Sequence, residues 1–262
     1  MTKLKIGLFG CGNMGSALAL AIGNTFPEIE FFLYTPSQFK AIDLAKKINA
    51  KALSTLNEMP RDLNWYIIAF KPQSLEDFNF NFHEKAKLLS VLAGVKISKL
   101  QEHFKIKKIA RLMPNTPSSI GLGANLLYMD SAFHSDEENE LREILKASGK
   151  IFKMGSQKDL DLTTAFSGSG PALVFELARI FEEELTIMTQ GRVPARDIIA
   201  QTFLGSAHLM QSENSFLDLR NQVTSKKGVT HEALKVLVDN DLQGLFNSAF
   251  SAAYKRTLEL SE

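Results

Sequence analysis

The feature that most constrains this chain is "GLFGCGNMGSALAL", Gly7 to Leu20, where an apolar run breaks into three glycines and then resumes. Gly10, Gly12 and Gly15 stand in GxGxxG spacing between a predicted strand, Leu4 to Phe9, and a predicted helix, Met14 to Asn24. In a dinucleotide-binding turn the first glycine permits the tight reversal. The second lets backbone approach a pyrophosphate, and the third lets the helix pack on the strand. The phosphates then meet unpaired amides at the helix N-terminus. Cys11, inside the loop, reads as a small filler, since no nearby residue suggests an activated thiol.

The first half of the chain repeats this βα alternation. Further strands are predicted at Phe31 to Tyr34, Trp65 to Phe70, Leu88 to Ala93, Ile109 to Met113, Asn125 to Met129 and Lys150 to Met154. Helical spacing of apolar residues occupies Gln38 to Lys47 and Asp136 to Ala147. The pattern predicts an α/β domain with a mostly parallel sheet. From Gly155 onward apolar residues recur at three and four, and the second half reads as all-helical. One helix is expected from Pro171 to Gly191, and the next from near Pro194 to about Ser212. A third begins at Thr230 and breaks at "DND", Asp239 to Asp241, before a last helix. The boundary falls near "MGSQKD", giving domains 1–155 and 156–262.

Composition narrows the function classes. Thirty Lys and Arg against twenty-nine Asp and Glu leave a net charge of +1, so no global field favours nucleic acid or an anionic membrane. Any bound anion must be held locally. A single cysteine excludes an internal disulfide framework and a cysteine-rich zinc site. The opening "MTKLKIGLFG" has too short an apolar run for a signal peptide, and no stretch of about 18 uncharged apolar residues exists to span a bilayer. The expectation is a cytoplasmic protein.

Cofactor choice should be written at the end of the second strand, where an NAD site usually places an acid on the ribose diol. Here the segment is "FLYTPSQFK", with no carboxylate from Tyr34 to Gln38. Thr35 and Ser37 offer hydroxyls and Lys40 a charge, so NADP(H) is favoured over NAD(H). The same two hydroxyls could instead cap the following helix, and both roles can coexist. Three further stretches lie where ligand contacts gather in an open α/β sheet: "AFKPQ", "RLMPNTPSSIGLG" and "FSGSGPA". In the second, two prolines bracket Asn115 and Thr116. In the third, Ser167 to Gly170 lead into Pro171 and a helix N-terminus.

Taken together, these residues resemble one family over essentially the whole chain, the pyrroline-5-carboxylate reductases, NAD(P)H enzymes that make proline. The resemblance rests on "GCGNMG", "FKP", "LAG" at Leu92 to Gly94, the specific "RLMPNTP" and "SGSGPA", and a weaker match at "VTSKKGVTHEAL". "YTPS", Tyr34 to Ser37, looks like bacterial members that use NADPH. The resemblance implies a Rossmann-like N-terminal domain and an all-α C-terminal dimerisation domain that forms an interlocked homodimer, often a ring of dimers. It places the active site at the domain junction, with residues from the partner subunit. Asn13 and Met14 would follow the pyrophosphate, with Thr35 and Ser37 near the adenosine phosphate. Ala69, Lys71 and Pro72 would lie on the nicotinamide side, and Asn115 near the reacting ring. The loop from Val223 to Thr230 would cup the substrate carboxylate, Ser225 and Thr230 supplying hydroxyls and Gly228 an amide, with Val229, Glu213 and Ser169 beside the substrate.

The implied chemistry needs no nucleophile. Reducing a cyclic imine requires a positioned hydride donor and a proton on nitrogen, for which a Thr230 hydroxyl suffices. This accounts for the lack of a Ser, His and Asp constellation. His83, His103, His134 and His208 read as structural or surface residues without metal-ligand spacing; His231, beside Thr230, reads first as an exposed residue of a helix's first turn, and could alternatively carry a proton.

The chain departs from the family where the pattern is Ser-Pro-Gly-Gly-x-Thr and this sequence reads "SKKGVT". If the first glycine position requires a positive φ, Lys227 there costs roughly 1–2 kcal/mol. Otherwise Lys226 and Lys227 add charge beside a carboxylate site or point to solvent. The family's usual His-Pro ahead of the loop is also absent, although Glu213 stands where an acid is common. Three readings follow: a working reductase of 1-pyrroline-5-carboxylate, a reductase of another small cyclic imine acid, and a catalytically altered member acting as an NADPH-binding regulatory protein.

Overall fold

The computed structural model describes residues 4–259, and its first elements are strand β1, Lys5–Phe9, and helix α1, Asn13–Thr25. The α/β part continues with β2 (Glu30–Tyr34), α2 (Gln38–Ala45), β3 (Ala50–Ala52), β4 (Trp65–Ile68), β5 (Lys87–Ser90) and α3 (Ile97–Phe104). It closes with β6 (Lys108–Met113), β7 (Gly123–Met129), α4 (Ser135–Leu145), β8 (Gly149–Lys153) and α5 (Gln157–Ser167).

All eight strands share one sheet in the order β3-β2-β1-β4-β5-β6-β7-β8. Every pair is parallel except β6 with β7, which run antiparallel with Ala110 opposite Met129. Both faces are buried. Phe31, Leu33, Trp65, Ile67 and Leu89 enter one core layer with Leu18 and Ile22 of α1, while Phe32, Tyr66, Ile68 and Leu88 enter the other with Leu100 and Phe104 of α3. That is why these strands read as continuous apolar runs rather than alternating ones. The strand order reverses at β1, whose neighbours β2 and β4 lie on opposite sides, and the crevice above such a switch point is where ligands bind in open α/β sheets.

The remaining helices are α6 (Gly170–Thr189), α7 (Ala195–Leu209), α8 (Phe216–Gln222), α9 (Val229–Asp239) and α10 (Leu242–Glu259). The chain divides into two compact units, one running to Ser169 and including the chain from Ala253, the other Gly170–Ala252. Within the second, α6 packs on α7, with the Phe181 and Phe203 rings 5.6 Å apart. Among the described residues no helix is long and apolar enough to cross a membrane.

Several boundaries differ from expectation. The predicted helix starts and stops in the second half hold within a few residues, with Asp241 at φ 50° making the expected break before α10. The sequence reading omitted β3, α3, α5 and α8. In "FSGSGPA", Ser167 closes α5 instead of standing in a loop, and Gly170 already opens α6.

Candidate nucleotide and substrate sites

The three glycines of the opening motif meet three different environments. Gly10 takes φ +102°, and a Cβ there would lie 2.7 Å from the Ala69 carbonyl carbon and the Phe70 nitrogen, so the turn after β1 touches the end of β4 through bare backbone. A Cβ on Gly15 would fall on the Gly10 carbonyl oxygen, which lets α1 seat directly on that turn. Gly12 is different: nothing lies within 4 Å of its Cβ position. The fold leaves room for a side chain there, and the bare backbone leaves the same space open to a ligand.

Gly12 is the N-cap of α1, with no side-chain cap and no acidic residue in the first turn. The amides of Asn13, Met14 and Gly15 head the helix and have no intrahelical acceptors. Their partial positive charge suits a pyrophosphate. Cys11 is buried, and burial pushes its thiol up to about 11, in keeping with a filler. Ser16 Oγ donates to the Cys11 carbonyl at 3.2 Å and steadies the loop.

At the end of β2 the Tyr34 carbonyl accepts from the Gly10 amide at 2.8 Å, bringing "YTPS" beside the glycine turn. Ser37 is the N-cap residue of α2, yet its side chain makes no capping bond, and no acid stands in the helix's first turn. The hydroxyls of Thr35 and Ser37 have no partner among the described residues. Between this strand end and the segment after β4 lies a crevice of about 330 Å³, walled by Phe9, Tyr34, Phe70 and Phe78. Orphan helix amides, an open Gly12 and unengaged hydroxyls fit a phosphorylated dinucleotide. A 2'-phosphate would meet Thr35, Ser37 and the first turn of α2.

Ala69 donates its amide to the Phe9 carbonyl at 2.7 Å. Lys71 precedes the 3-10 turn Pro72–Ser74, its side chain exposed. Asn115 is buried and fully engaged: its Nδ2 donates to the Ser167 carbonyl at 3.1 Å and its Oδ1 accepts from the Ala124 amide at 2.9 Å. It ties the turn after β6 to the end of α5. A buried ion pair reinforces this tie. Arg111 on β6 meets Asp161 on α5 at 2.7 Å and 3.4 Å, and Gln157 Oε1 accepts from the Ile97 amide at 2.9 Å. Sequence reasoning missed both this pair and the crevice wall supplied by Ser74 to Asn79. The alternating "FNFNF" at Phe78 to Phe82 was the available signal for the second.

In the helical unit, Ser225 to Gly228 form a turn in which the Gly228 amide donates to the Ser225 carbonyl at 3.0 Å. Lys227 sits at φ 60°, in the left-handed region, so the strained alternative for this position is the one realised. Gly228 is the N-cap of α9, and a Cβ there would collide with Ser225 Oγ. The amides of Val229, Thr230 and His231 therefore head α9 without intrahelical acceptors, beside the exposed hydroxyls of Ser225 and Thr230. Glu213 is exposed in the segment between α7 and α8, and Ser169 is half-buried between α5 and α6.

Comparison with known proteins finds matches in both regions of the chain. Residues 157–260 match the family described as pyrroline-5-carboxylate reductase dimerisation, and residues 5–94 match that described as NADP oxidoreductase, coenzyme F420-dependent. The pyrroline-5-carboxylate reductase of Vibrio alginolyticus is 27% identical over 271 residues, covering 100% of this chain and 99% of the relative. A solved pyrroline-5-carboxylate reductase from Coxiella burnetii superposes with a TM-score of 0.86 at 26% identity, covering 100% of both chains. A Plasmodium falciparum pyrroline carboxylate reductase solved with NADP bound gives 0.81 at 26% identity, covering 99% of this chain and 100% of that one. With a nucleotide turn, a dimerisation match over residues 157–260 and full-length relatives such as that of Vibrio alginolyticus at 27% identity, the chain is similar over its whole length to the pyrroline-5-carboxylate reductases.

Proposed function

We infer that this protein is an NADPH-dependent reductase that converts 1-pyrroline-5-carboxylate to L-proline, the last step of proline biosynthesis. The cofactor half of the reading is supported by the head of α1, where Gly12 leaves open space before amides that have no intrahelical acceptors. Full-length similarity to pyrroline-5-carboxylate reductases supports the substrate half. NADPH supplies the hydride. Residues 1–155 form the nucleotide-binding domain and residues 156–262 the substrate and dimerisation domain; the dimerisation match from residue 157 supports this division, while α5 packs with the sheet and the compact units part at Ser169. The lone cysteine accords with a cytoplasmic location.

The chain's own contribution is to hold and orient. Asn13 and Met14 receive the pyrophosphate on their amides, Thr35 and Ser37 the 2'-phosphate, and Ala69, Lys71 and Pro72 border the nicotinamide. Asn115 acts by fixing the turn after β6, since both ends of its carboxamide are bound to backbone. At the head of α9 the substrate carboxylate takes the Val229 and Thr230 amides and the Ser225 hydroxyl, with Gly228 shaping the turn. The Thr230 hydroxyl holds the proton at the imine nitrogen, a modest demand because imines protonate near neutrality. Positioning of this kind supplies most of what such a reaction needs from a protein.

The test is NADPH oxidation, followed at the nicotinamide absorbance, with pyrroline-5-carboxylate against its six-membered homologue and a panel of 2-oxo acids. Fast turnover of the five-membered imine is expected. Thr230→Ala should lower that turnover at least tenfold with NADPH affinity nearly unchanged. Turnover confined to the six-membered imine would reassign the substrate. NADPH binding without any turnover would leave a nucleotide-binding regulatory protein, with Lys226 and Lys227 as the lesion.

A further inference from the structure

Helix α5 is fastened to β6 and its following turn at both ends. Near the start of the helix, Asp161 accepts from the Arg111 guanidinium at 2.7 and 3.4 Å, and the arginine side chain has no solvent exposure. Gln157 Oε1 accepts from Arg111 at 3.4 Å and from the Ile97 amide, at the head of α3, at 2.9 Å. At the end of the helix, the Ser167 carbonyl accepts from Asn115 Nδ2 at 3.1 Å. Arg111 stands opposite Ser90, the last residue of β5, in a parallel pairing. One buried side chain therefore joins the segment after β5, strand β6 and α5 at the edge of the sheet where β5 and β6 end.

Stability alone does not account for this arrangement. Burying an ion pair takes two charges out of water, and their attraction roughly offsets that cost, so an apolar pair of similar size would serve a core as well or better. Arg111 Nε is also buried without a hydrogen-bond partner, which adds to the cost. What the pair supplies is direction. A guanidinium fork meets a carboxylate in one plane and one orientation. The apolar seat of α5, Leu160 against Met113 and Leu126, is non-directional and would tolerate a shift of the helix. The end of the helix held in this way carries the Ser167 carbonyl that engages Asn115 and leads directly into Ser169.

Resting on the substrate reading above, we propose that Arg111, with Asp161 and Gln157, is a positioning residue for the reduction. It acts through α5. By fixing where the helix ends, it holds the Asn115 turn and Ser169 in the arrangement that brings hydride donor and imine face to face. A misplacement of about 1 Å at such a site can cost on the order of a hundredfold in rate.

The experiment sets Arg111→Met, Asp161→Leu, an apolar replacement of the pair, beside Asp161→Ala and the intact protein. Urea unfolding midpoints, NADPH affinity by fluorescence, and kcat and KM for pyrroline-5-carboxylate per NADPH-binding site are measured for each. The double variant should regain most of the stability that Asp161→Ala loses and bind NADPH within about twofold of the intact protein. Its kcat should nevertheless stay at least about tenfold low with KM little changed, a split that a merely structural pair would not produce. Gln157 is half-buried, so Gln157→Met should fold normally, and the loss of the acceptor shared by Arg111 and Ile97 should lower kcat about threefold. A double variant with kcat within about twofold of the intact protein's would overturn the proposal while leaving the substrate reading in place. Should the double variant fail to fold, an unchanged kcat in Gln157→Met overturns it equally. An intact protein that binds NADPH and reduces no imine would remove the substrate reading, and the proposal with it.

Discussion

Gly12 and Gly15 sit in one turn and meet different surroundings, open space at one and the Gly10 carbonyl at the other. Gly12→Ala puts a methyl into open space and its only cost to the fold is that alanine is a poorer N-cap than glycine, so unfolding free energy should fall by no more than about 1 kcal/mol. Dinucleotide affinity should nevertheless fall at least tenfold. Gly15→Ala drives a methyl onto the Gly10 carbonyl and should destabilise by about 1–3 kcal/mol. Urea unfolding and NADPH titration of the two variants separate the roles. At Lys227 the argument runs the other way. A lysine at φ 60° stores strain that glycine would not, so Lys227→Gly should stabilise by about 1 kcal/mol. For a chain of this size that is a rise of roughly 2–4 °C in Tm. Cys11 gives a pH dependence. Its folded-state pKa of about 11 lies above the ordinary 9.0, so folding favours the neutral thiol. That contribution is complete below pH 9.0 and is lost as pH rises through about 11. Between pH 8 and 10.5 the intact protein should therefore lose more unfolding free energy than Cys11→Ala does.

At the scale of elements, α5 depends on a charge pair in a place where apolar contacts are few. Its buried positions are Leu160, Asp161 and Ala165, and Asp161 faces an Arg111 with no solvent exposure whose Nε has no hydrogen-bond partner. Removing one partner leaves the other charged and buried, so Asp161→Ala should cost about 3–5 kcal/mol. The double variant Arg111→Met, Asp161→Leu should cost less than Asp161→Ala alone, read from urea unfolding midpoints. The same chemistry explains why α5 was not legible in the sequence: its inward face carries an aspartate, which breaks the apolar period. The central strands and α1 were legible because two-sided burial makes continuous apolar runs and a glycine motif marks the joint. The three-residue β3 carries an exposed Lys51 between two half-buried alanines, so no period could emerge. The crossover after β4 was silent for a further reason, since its phenylalanines alternate like a strand yet pair with no neighbouring strand. Of the site, the glycine turn and "YTPS" could be read from residue type alone. The full engagement of Asn115 and the Ser225 to Gly228 turn depend on partners distant in sequence or on backbone geometry, which spacing does not report.

For the whole molecule, the decisive quantity is how little of the helical unit a single chain can bury. From residue 170 to residue 259 only Ala195 is buried, while Phe175, Ile187, Met188 and Leu245 are each more than 60% exposed. Helices with this much bare apolar surface draw their stability from a partner, because propensity alone leaves short helices marginal in water. The matching dimerisation family identifies that partner as a second copy of the chain, so folding and assembly are linked by mass action. The protein should sediment as a dimer or larger, and its Tm should rise with protein concentration. Phe175 is 63% exposed in the single chain, so Phe175→Asp removes little within one subunit. With the dimer formed through this exposed face of α6, the same change would bury an unpaired carboxylate at an apolar contact, a penalty of several kcal/mol. The variant should therefore sediment as monomer and unfold at lower temperature, with NADPH affinity of the sheet domain retained. A Phe175→Asp protein that stays dimeric at micromolar concentration would place the interface on another face of the helical unit.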